Sequence, residues 1–169
     1  MAEITKVYRQ TMNPSKFVGK RYTDEDRVGG GFGTKWGEWF QNGWFEKLEQ
    51  QASGCMKSTY EDGNASIGLM REVNGVFEYW IGYFMPVGTI APAGFESIDF
   101  PKSDLGVCWV YGKEEEIFMH EGPCGERLEA EGFKLTGDWC FERYVCPRFT
   151  TPDENGNIIL DIGFFVESV

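Results

Sequence analysis

The sequence is poor in the residues that build metal and nucleophile sites. It contains one histidine and five cysteines, and no two cysteines form a Cys-x-x-Cys pair. A single histidine, His120, argues against a histidine-based zinc site, and it leaves room for a Ser-His-Asp triad only if His120 itself takes part. We therefore expect no metal and no cofactor, and we expect the thiols to be reduced.

Long apolar runs and basic residues are also scarce. No run approaches the roughly 18 apolar residues of a membrane helix, and the N-terminal "MAEITKVYRQ" lacks the apolar segment of a signal peptide. We therefore expect a cytoplasmic protein without a membrane span. Lys and Arg number 16 against 27 Asp and Glu, for a net charge of −11. Direct nucleic-acid binding is disfavoured because phosphate contacts need a basic surface, whereas cationic or neutral ligands suit this charge.

Aromatic residues are abundant instead. They make up 16% of the chain, with six Trp and fourteen Phe, enough to fill a core and also to line a cavity. Many fall in Thr34–Gln51, where apolar residues follow a period of 3.6 and predict one amphipathic helix. Its tryptophan stripe is expected to face the core, with one or two rings available to a cavity.

Strand patterns flank this helix and a second, weaker one. Asn74-Gly75 is a strong hairpin-turn signal. "FVGK" at 17–20 resembles "VYGK" at 110–113, and "EYWIGYF" at 78–84 resembles "ILDIGFF" at 159–165. These echoes predict a duplicated α+β unit, with antiparallel strands and one helix in each copy. Two such units packed about a pseudo-twofold axis would enclose a cleft, a common place for a ligand.

The segment "DWCFERY", residues 138–144, places an acid within an aromatic run. In a strand, Glu142 and Tyr144 share one face, and Phe141 and Val145 share the other. We expect the first face to line the cleft and the second to meet the helix. Two interpretations of Glu142 remain open at this point: a solvated strand residue paired with a nearby arginine, or an acid that meets a ligand.

Three long stretches together resemble the GyrI-like proteins, whose fold is shared by effector-binding domains of AraC-type and multidrug-responsive activators. They are "FVGKRYTDEDRVGGGFGTKWGEWF", "EYWIGYFMPVGTIAPAGFESIDFPKSDLGVCWVYGKEEEI" and "WCFERYVCPRFTTPDENGNIILDIGFFV". The resemblance implies a single domain over residues 1–169, with SH2-like βαββ-type repeats at about 1–90 and 91–169. It also implies a stand-alone domain, because we find no helix-turn-helix pattern.

The resemblance further implies a central pocket with aromatic walls and an acid that meets the cationic part of a ligand. The "FERY" segment resembles the segment that supplies this acid in the family. The resemblance therefore assigns the cation-binding role to Glu142, with Tyr144 beside it. Strand alternation adds Trp80, Trp109 and Tyr111 as ligand-binding candidates.

Three functions fit these features. The first is the binding of bulky aromatic, cationic or amphipathic small molecules. The second is hydrolysis of cyclopropane-bearing alkylating compounds, with Glu142 as base and Tyr144 as donor. The third is inhibition of a topoisomerase-like protein partner. The ligand's identity, catalytic turnover and the oligomeric state stay open.

Overall fold

The computed structural model describes residues 1–144 and 146–169. The strands are β1 (Glu3–Met12), β2 (Ser15–Thr23), β3 (Ile67–Val73), β4 (Val76–Pro86), β5 (Glu96–Phe100), β6 (Ser103–Gly112), β7 (Leu135–Arg143) and β8 (Ile158–Val166). The helices are α1 (Gly33–Gln41), α2 (Trp44–Gln51), α3 (Glu121–Ala130) and α4 (Pro147–Thr150). Short 3-10 turns occupy Asp24–Asp26, Met56–Ser58 and Glu114–Glu116.

All eight strands form one antiparallel sheet in the order β1-β6-β8-β7-β3-β4-β2-β5. The predicted α+β class with antiparallel strands is confirmed. The two units are not separate sheets, however, because β3 and β7 pair edge to edge and join them. The sequence echoes lie in β2 and β6 and in β4 and β8, which occupy matching places on either side of this central pair. The duplication itself stays a prediction.

The hairpin signal at Asn74-Gly75 corresponds to a real turn. Both residues have positive φ, 52° and 78°, and they connect β3 to β4 with Val73 opposite Val76. Positive φ at both central residues is the geometry that matches the twist of antiparallel strands. This turn sets the register of the β3–β4 pair, in which Met70 lies opposite Tyr79.

The predicted helix Thr34–Gln51 is two helices. α1 ends at Gln41 and α2 begins at Trp44, with Gly43 between them at φ 63°. Glycine adopts this left-handed conformation at little cost, so the chain turns here and both helices lay their aromatic residues on the sheet. Trp39, Phe45 and Leu48 are buried in that contact.

The two faces of the sheet carry different layers. α1 and α2 pack on one face over Ile81 and Tyr83, and α3 packs on the same side over other strands. The opposite face holds a separate apolar cluster that includes Phe141 and Trp80. The prediction that Phe141 faces the helix is therefore wrong. Val145, its predicted companion, lies outside the described residues.

Within the described ranges, no helix combines the length and the apolar character needed to cross a bilayer.

Candidate functional site

Glu142 lies at the middle of the sheet, near the end of β7. Its neighbour across the central strand pair is Gly68 of β3. The side chain points to the helical face, where only 6% of the residue's surface remains exposed. Burial this deep is unusual for a glutamate without a cationic partner. In the described part of the chain, no Lys or Arg nitrogen forms a salt bridge with this carboxylate.

A tyrosine hydroxyl replaces the missing cation. Tyr79 donates a hydrogen bond to Oε1 of Glu142 at 3.3 Å. Gly68 makes this contact possible, because a Cβ atom there would lie 2.3 Å from the Tyr79 oxygen and 3.4 Å from the carboxylate. The absence of a side chain at one position of β3 therefore creates space for the hydroxyl and the acid together.

Aromatic rings from α1 and the preceding loop secure Tyr79. The indole nitrogen of Trp36 donates to the Tyr79 oxygen at 3.1 Å. Phe32 stacks on the Tyr79 ring with centroids 4.3 Å apart and planes at 4°. The Trp36 ring also contacts Tyr144 edge to face at 4.9 Å. The first and second halves of the chain thus meet in an aromatic contact next to the buried acid.

Two cavities, together called the groove below, lie beside the part of the chain that carries Glu142, although Glu142 itself lines neither of them. The larger, of about 470 Å³, is lined by Met70, Cys140 and Glu121 among others. The smaller, of about 360 Å³, is lined mainly by aromatic side chains: Trp36, Phe40, Phe118, Tyr144 and Phe149. Cys140 and Tyr144 flank Glu142 in sequence, so one neighbour of the acid lines a mixed polar cavity and the other lines an aromatic one. Both volumes fall within the range of small-molecule sites.

The mouth of the groove is apolar. Phe40 of α1 is 60% exposed and Met119, just before α3, is 87% exposed. Met119 also has a positive φ of 64°, a strained conformation for a side chain of this kind. Exposed apolar side chains at the rim of two cavities are typical of a surface that receives a hydrophobic molecule.

The environment disfavours the charged form of Glu142. Burial, and then repulsion from Glu121, raise the pKa of Glu142 to about 7, while hydrogen bonding by Tyr144 and Tyr79 acts in the opposite direction. The pKa values of both tyrosines are raised by their own burial and by the Glu142 charge. The site therefore holds an acid whose charge would be stabilised by an incoming cation.

The structure brings together only some of the predicted site residues. Tyr144 lines the smaller cavity, whereas Glu142 lies beside the two cavities and lines neither. Trp80 lies on the opposite face of the sheet, where its indole nitrogen donates to Glu78 at 3.0 Å. Trp109 also packs on that face, so neither tryptophan shares the sheet face of Glu142.

Tyr111 lies farther out, near the end of β6, and receives a hydrogen bond from the side-chain amide of Asn157 at 2.9 Å. The prediction that Trp80, Trp109 and Tyr111 line the same pocket as Glu142 is corrected. β4 shows the reason: it is buried on both faces from Glu78 to Pro86, so hydrophobic alternation did not reveal which face was which.

Sequence reasoning missed Tyr79 and Glu121 as site residues. Tyr79 directly precedes Trp80, so the correct choice of face on β4 would have found it. Glu121 carries no sequence signal, because an acid in the first turn of a helix is ordinary. Trp36 was anticipated only as a member of the tryptophan stripe.

No model of a protein family matches the chain, and neither does any curated protein. Solved structures do match over nearly the full length. A transcription regulation protein from Staphylococcus aureus superposes with a TM-score of 0.64 at 15% identity, over 96% of this chain and 99% of that one.

Two further structures show the same similarity. SAV2435 bound to tetraphenylphosphonium gives a TM-score of 0.64 at 15% identity, covering 97% of this chain and 95% of the other. The C-terminal domain of EcmrR gives 0.60 at 12% identity, covering 97% and 98%. At these identities the similarity establishes a shared fold.

Proposed function

We propose that this chain is a GyrI-like small-molecule-binding domain that takes bulky aromatic cations in the groove around Glu142. One observation carries the proposal: a buried carboxylate without a cationic partner in the described residues, whose neighbours Cys140 and Tyr144 each line a cavity. Burying an unpaired charge is costly, so a protein has little structural reason to keep such an acid unless something pairs with it.

The chemistry of the groove favours that class of ligand. Aromatic faces attract cations by about 0.5–2 kcal/mol per contact, more when water is excluded. Trp36, Phe118, Tyr144 and Phe149 provide such faces in the smaller cavity. Apolar burial adds the larger part of the affinity, and the carboxylate adds a preference for positive charge. One structural neighbour was solved with tetraphenylphosphonium, an aromatic cation of this kind.

The decisive experiment compares ions of one shape and opposite charge. Tetraphenylphosphonium and tetraphenylborate present the same four rings, so calorimetric titration of both separates charge recognition from hydrophobic burial. We expect the cation to bind more tightly. Glu142→Gln keeps the shape of the side chain and should weaken cation binding by about 10- to 150-fold, the equivalent of a charge-assisted contact of roughly 1.5–3 kcal/mol.

Glu126→Gln serves as the matched control. Glu126 is exposed on α3 and outside both cavities, so its replacement removes one charge from the surface and leaves the groove intact. Neutral triphenylphosphine oxide should bind wild type and Glu142→Gln equally. If tetraphenylphosphonium and tetraphenylborate bind wild type equally, the proposed role of the carboxylate is wrong.

A second candidate function rests on the pKa of Glu142. A carboxylate with a pKa of about 7 suits a general base at neutral pH, and the Tyr79 hydroxyl, which hydrogen-bonds to it, is a proton donor beside it. Hydrolysis of a cyclopropane-bearing alkylating compound would use this arrangement to activate water. Formation of more than one equivalent of ring-opened product per protein, lost in Glu142→Gln, would favour the enzyme over the binding domain.

A further inference from the structure

The groove contains a second acid that the proposed function does not use. Glu121 is the first residue of α3 and lines the larger cavity together with Cys140 and Met70. Its side chain is partly buried, and the structure shows no salt bridge to it from any described residue. An acid in the first turn of a helix is favoured by the helix dipole, which accounts for its presence there but not for its place in the cavity wall.

Glu121 and Glu142 are close enough for one bound molecule to meet both acids. Cys140, which lines the larger cavity, precedes Glu142 by two residues on one face of β7, a spacing of roughly 6.6 Å along a strand. A rigid molecule held at Glu142 therefore reaches the larger cavity within about one ring length. Repulsion from Glu121 is also the second cause of the raised pKa of Glu142, after burial.

The arginines of the larger cavity do not neutralise these acids. Arg27 bonds to Asp24 at 2.7 Å, and Arg71 bonds to Glu78 at 3.2 Å. Each cation is thus already paired with a carboxylate outside the Glu121–Glu142 pair.

The remaining charged residues of the cavity wall, Glu72 and Asp138, are exposed and negative. The wall of the larger cavity, together with Glu142 beside it, therefore carries an excess of negative charge, with Glu121 in the wall and Glu142 two residues beyond the wall residue Cys140.

We propose that Glu121 is a second charge-recognition residue and that the groove prefers flat dications to monocations of the same shape. The inference rests on the proposed function, since it assumes that a cation occupies the groove at Glu142. One positive charge pairs with the buried acid, and the other lies toward Glu121 in the larger cavity. A monocation satisfies only the first acid and leaves the second to water.

A matched pair of probes tests the preference. Methyl viologen is a flat bipyridine with two charges, and N-methyl-4-phenylpyridinium has nearly the same shape with one. Calorimetric titration at fixed ionic strength should show the dication bound about fivefold to tenfold more tightly by wild type. Glu121→Gln should remove most of this advantage and change the affinity for the monocation by less than about twofold.

Two further variants separate local from general effects. Glu126→Gln removes an exposed charge from the same helix and should leave the ratio of the two affinities unchanged. Glu142→Gln should weaken the binding of both probes. Circular dichroism melting of each variant shows whether α3 is retained. The melting temperature of Glu126→Gln is the reference against which any loss of stability in Glu121→Gln is judged.

The outcomes distinguish the two proposals. If the monocation binds and needs Glu142, but the dication binds no better or Glu121→Gln weakens both probes equally, the second-acid proposal is wrong and the proposed function stands. If neither probe binds, or Glu142→Gln changes nothing, the proposed function fails and the dication preference fails with it.

Discussion

Glu142 and Arg143 are consecutive residues of β7 and are both buried, yet they have opposite surroundings. Arg143, fully buried on the face opposite α1, α2 and α3, bonds to Asp161 at 2.6 and 2.8 Å, to Gln10 at 2.9 Å and to Tyr8 at 3.2 Å. Glu142, on the helical face, has a tyrosine hydroxyl and no cation among the described residues. One strand thus presents a satisfied charge on one face and an unsatisfied one on the other.

The pKa values follow the same contrast. Burial opposes the charge of Arg143, but attraction to Asp161 outweighs it and the pKa is raised, which keeps the guanidinium charged. Burial also opposes the charge of Glu142, and no cation in the described part of the chain compensates for it, so its pKa rises to about 7. A paired buried charge holds the fold together, whereas an unpaired one weakens the fold and remains available to a ligand. Each side of the contrast can be tested separately.

The largest change in stability should come from breaking the buried pair of Arg143 and Asp161. Asp161 accepts hydrogen bonds from both Arg143 and Arg148, so Asp161→Asn removes the closer of the two anions that these cations share and leaves them only Asp62, at 3.6 and 3.1 Å. We expect a loss of about 3–5 kcal/mol in the free energy of unfolding, measured by urea denaturation. The control is Asp104→Asn, which removes a more exposed pair with Arg9 and should cost less than about 1 kcal/mol. Equal losses in the two variants would contradict the structural role of the buried network.

Removing the unpaired charge of Glu142 should stabilise the fold, the opposite of the effect expected at Asp161. Glu142 has a pKa of about 7 in the folded protein, above the value of about 4.3 for an unfolded chain. The folded state therefore binds this proton more tightly. The stabilisation is complete below the unfolded pKa and is lost as the pH rises through about 7.

Glu142→Gln removes this titration. At pH 8 the variant should be more stable than wild type by up to about 4 kcal/mol, from a difference of about 2.7 pKa units at 1.36 kcal/mol each, and the advantage should vanish near pH 4. Urea denaturation at both pH values measures it. A variant less stable than wild type at pH 8 would show that the carboxylate already has a favourable partner.

A smaller effect is expected from crowding the space that the carboxylate and Tyr79 share. Gly68→Ala places a methyl group 2.3 Å from the Tyr79 oxygen, so the stacked ring must move. We expect a destabilisation of about 1–3 kcal/mol by urea denaturation, together with weaker cation binding. Gly37→Ala, on an open surface of α1, is the matched control and should be neutral or stabilising by up to about 1 kcal/mol. A neutral Gly68→Ala would mean that this packing is looser than described.

The smallest effect tests the hydroxyl that stands in for a cation. Tyr79→Phe removes the hydrogen bond to Glu142 and leaves the indole of Trp36 without its acceptor. Since this hydrogen bond lowers the pKa of Glu142, its loss should raise that pKa further above its usual range. Carbon-13 NMR titration of the glutamate carboxyl groups would show it. Tyr83→Phe, whose hydroxyl bonds to Glu49 instead, should leave the Glu142 titration unchanged.

Much of the local structure could be predicted from the sequence. The Asn74-Gly75 turn, the strands and the aromatic helix region follow from short-range patterns, which the backbone geometry of nearby residues determines. The break at Gly43 was missed because two short helices and one long helix share the same apolar period. The strand faces of β4 were missed because a strand buried on both sides loses the alternation that identifies a face.

The site was predicted only in part, for a similar reason. The acid in "DWCFERY" stood out because a charge in an apolar run needs a physical explanation, and the resemblance to known proteins supplied the pocket interpretation. Tyr79 and Glu121 lie 63 and 21 residues from Glu142 along the chain, and no sequence pattern around either residue indicates a shared site. Their meeting depends on the pairing of β3 with β7 and on the position of α3.

Composition and local periodicity are enough to establish that the chain is acidic, rich in aromatic residues and patterned as antiparallel strands with helices. The tertiary structure decided which of two adjacent charges would be paired. Long-range strand order places Arg143 beside Asp161 and turns Glu142 toward Tyr79, with Gly68 leaving the space between them. No local pattern encodes that choice, because the two faces of a strand differ only in what the rest of the chain packs against them.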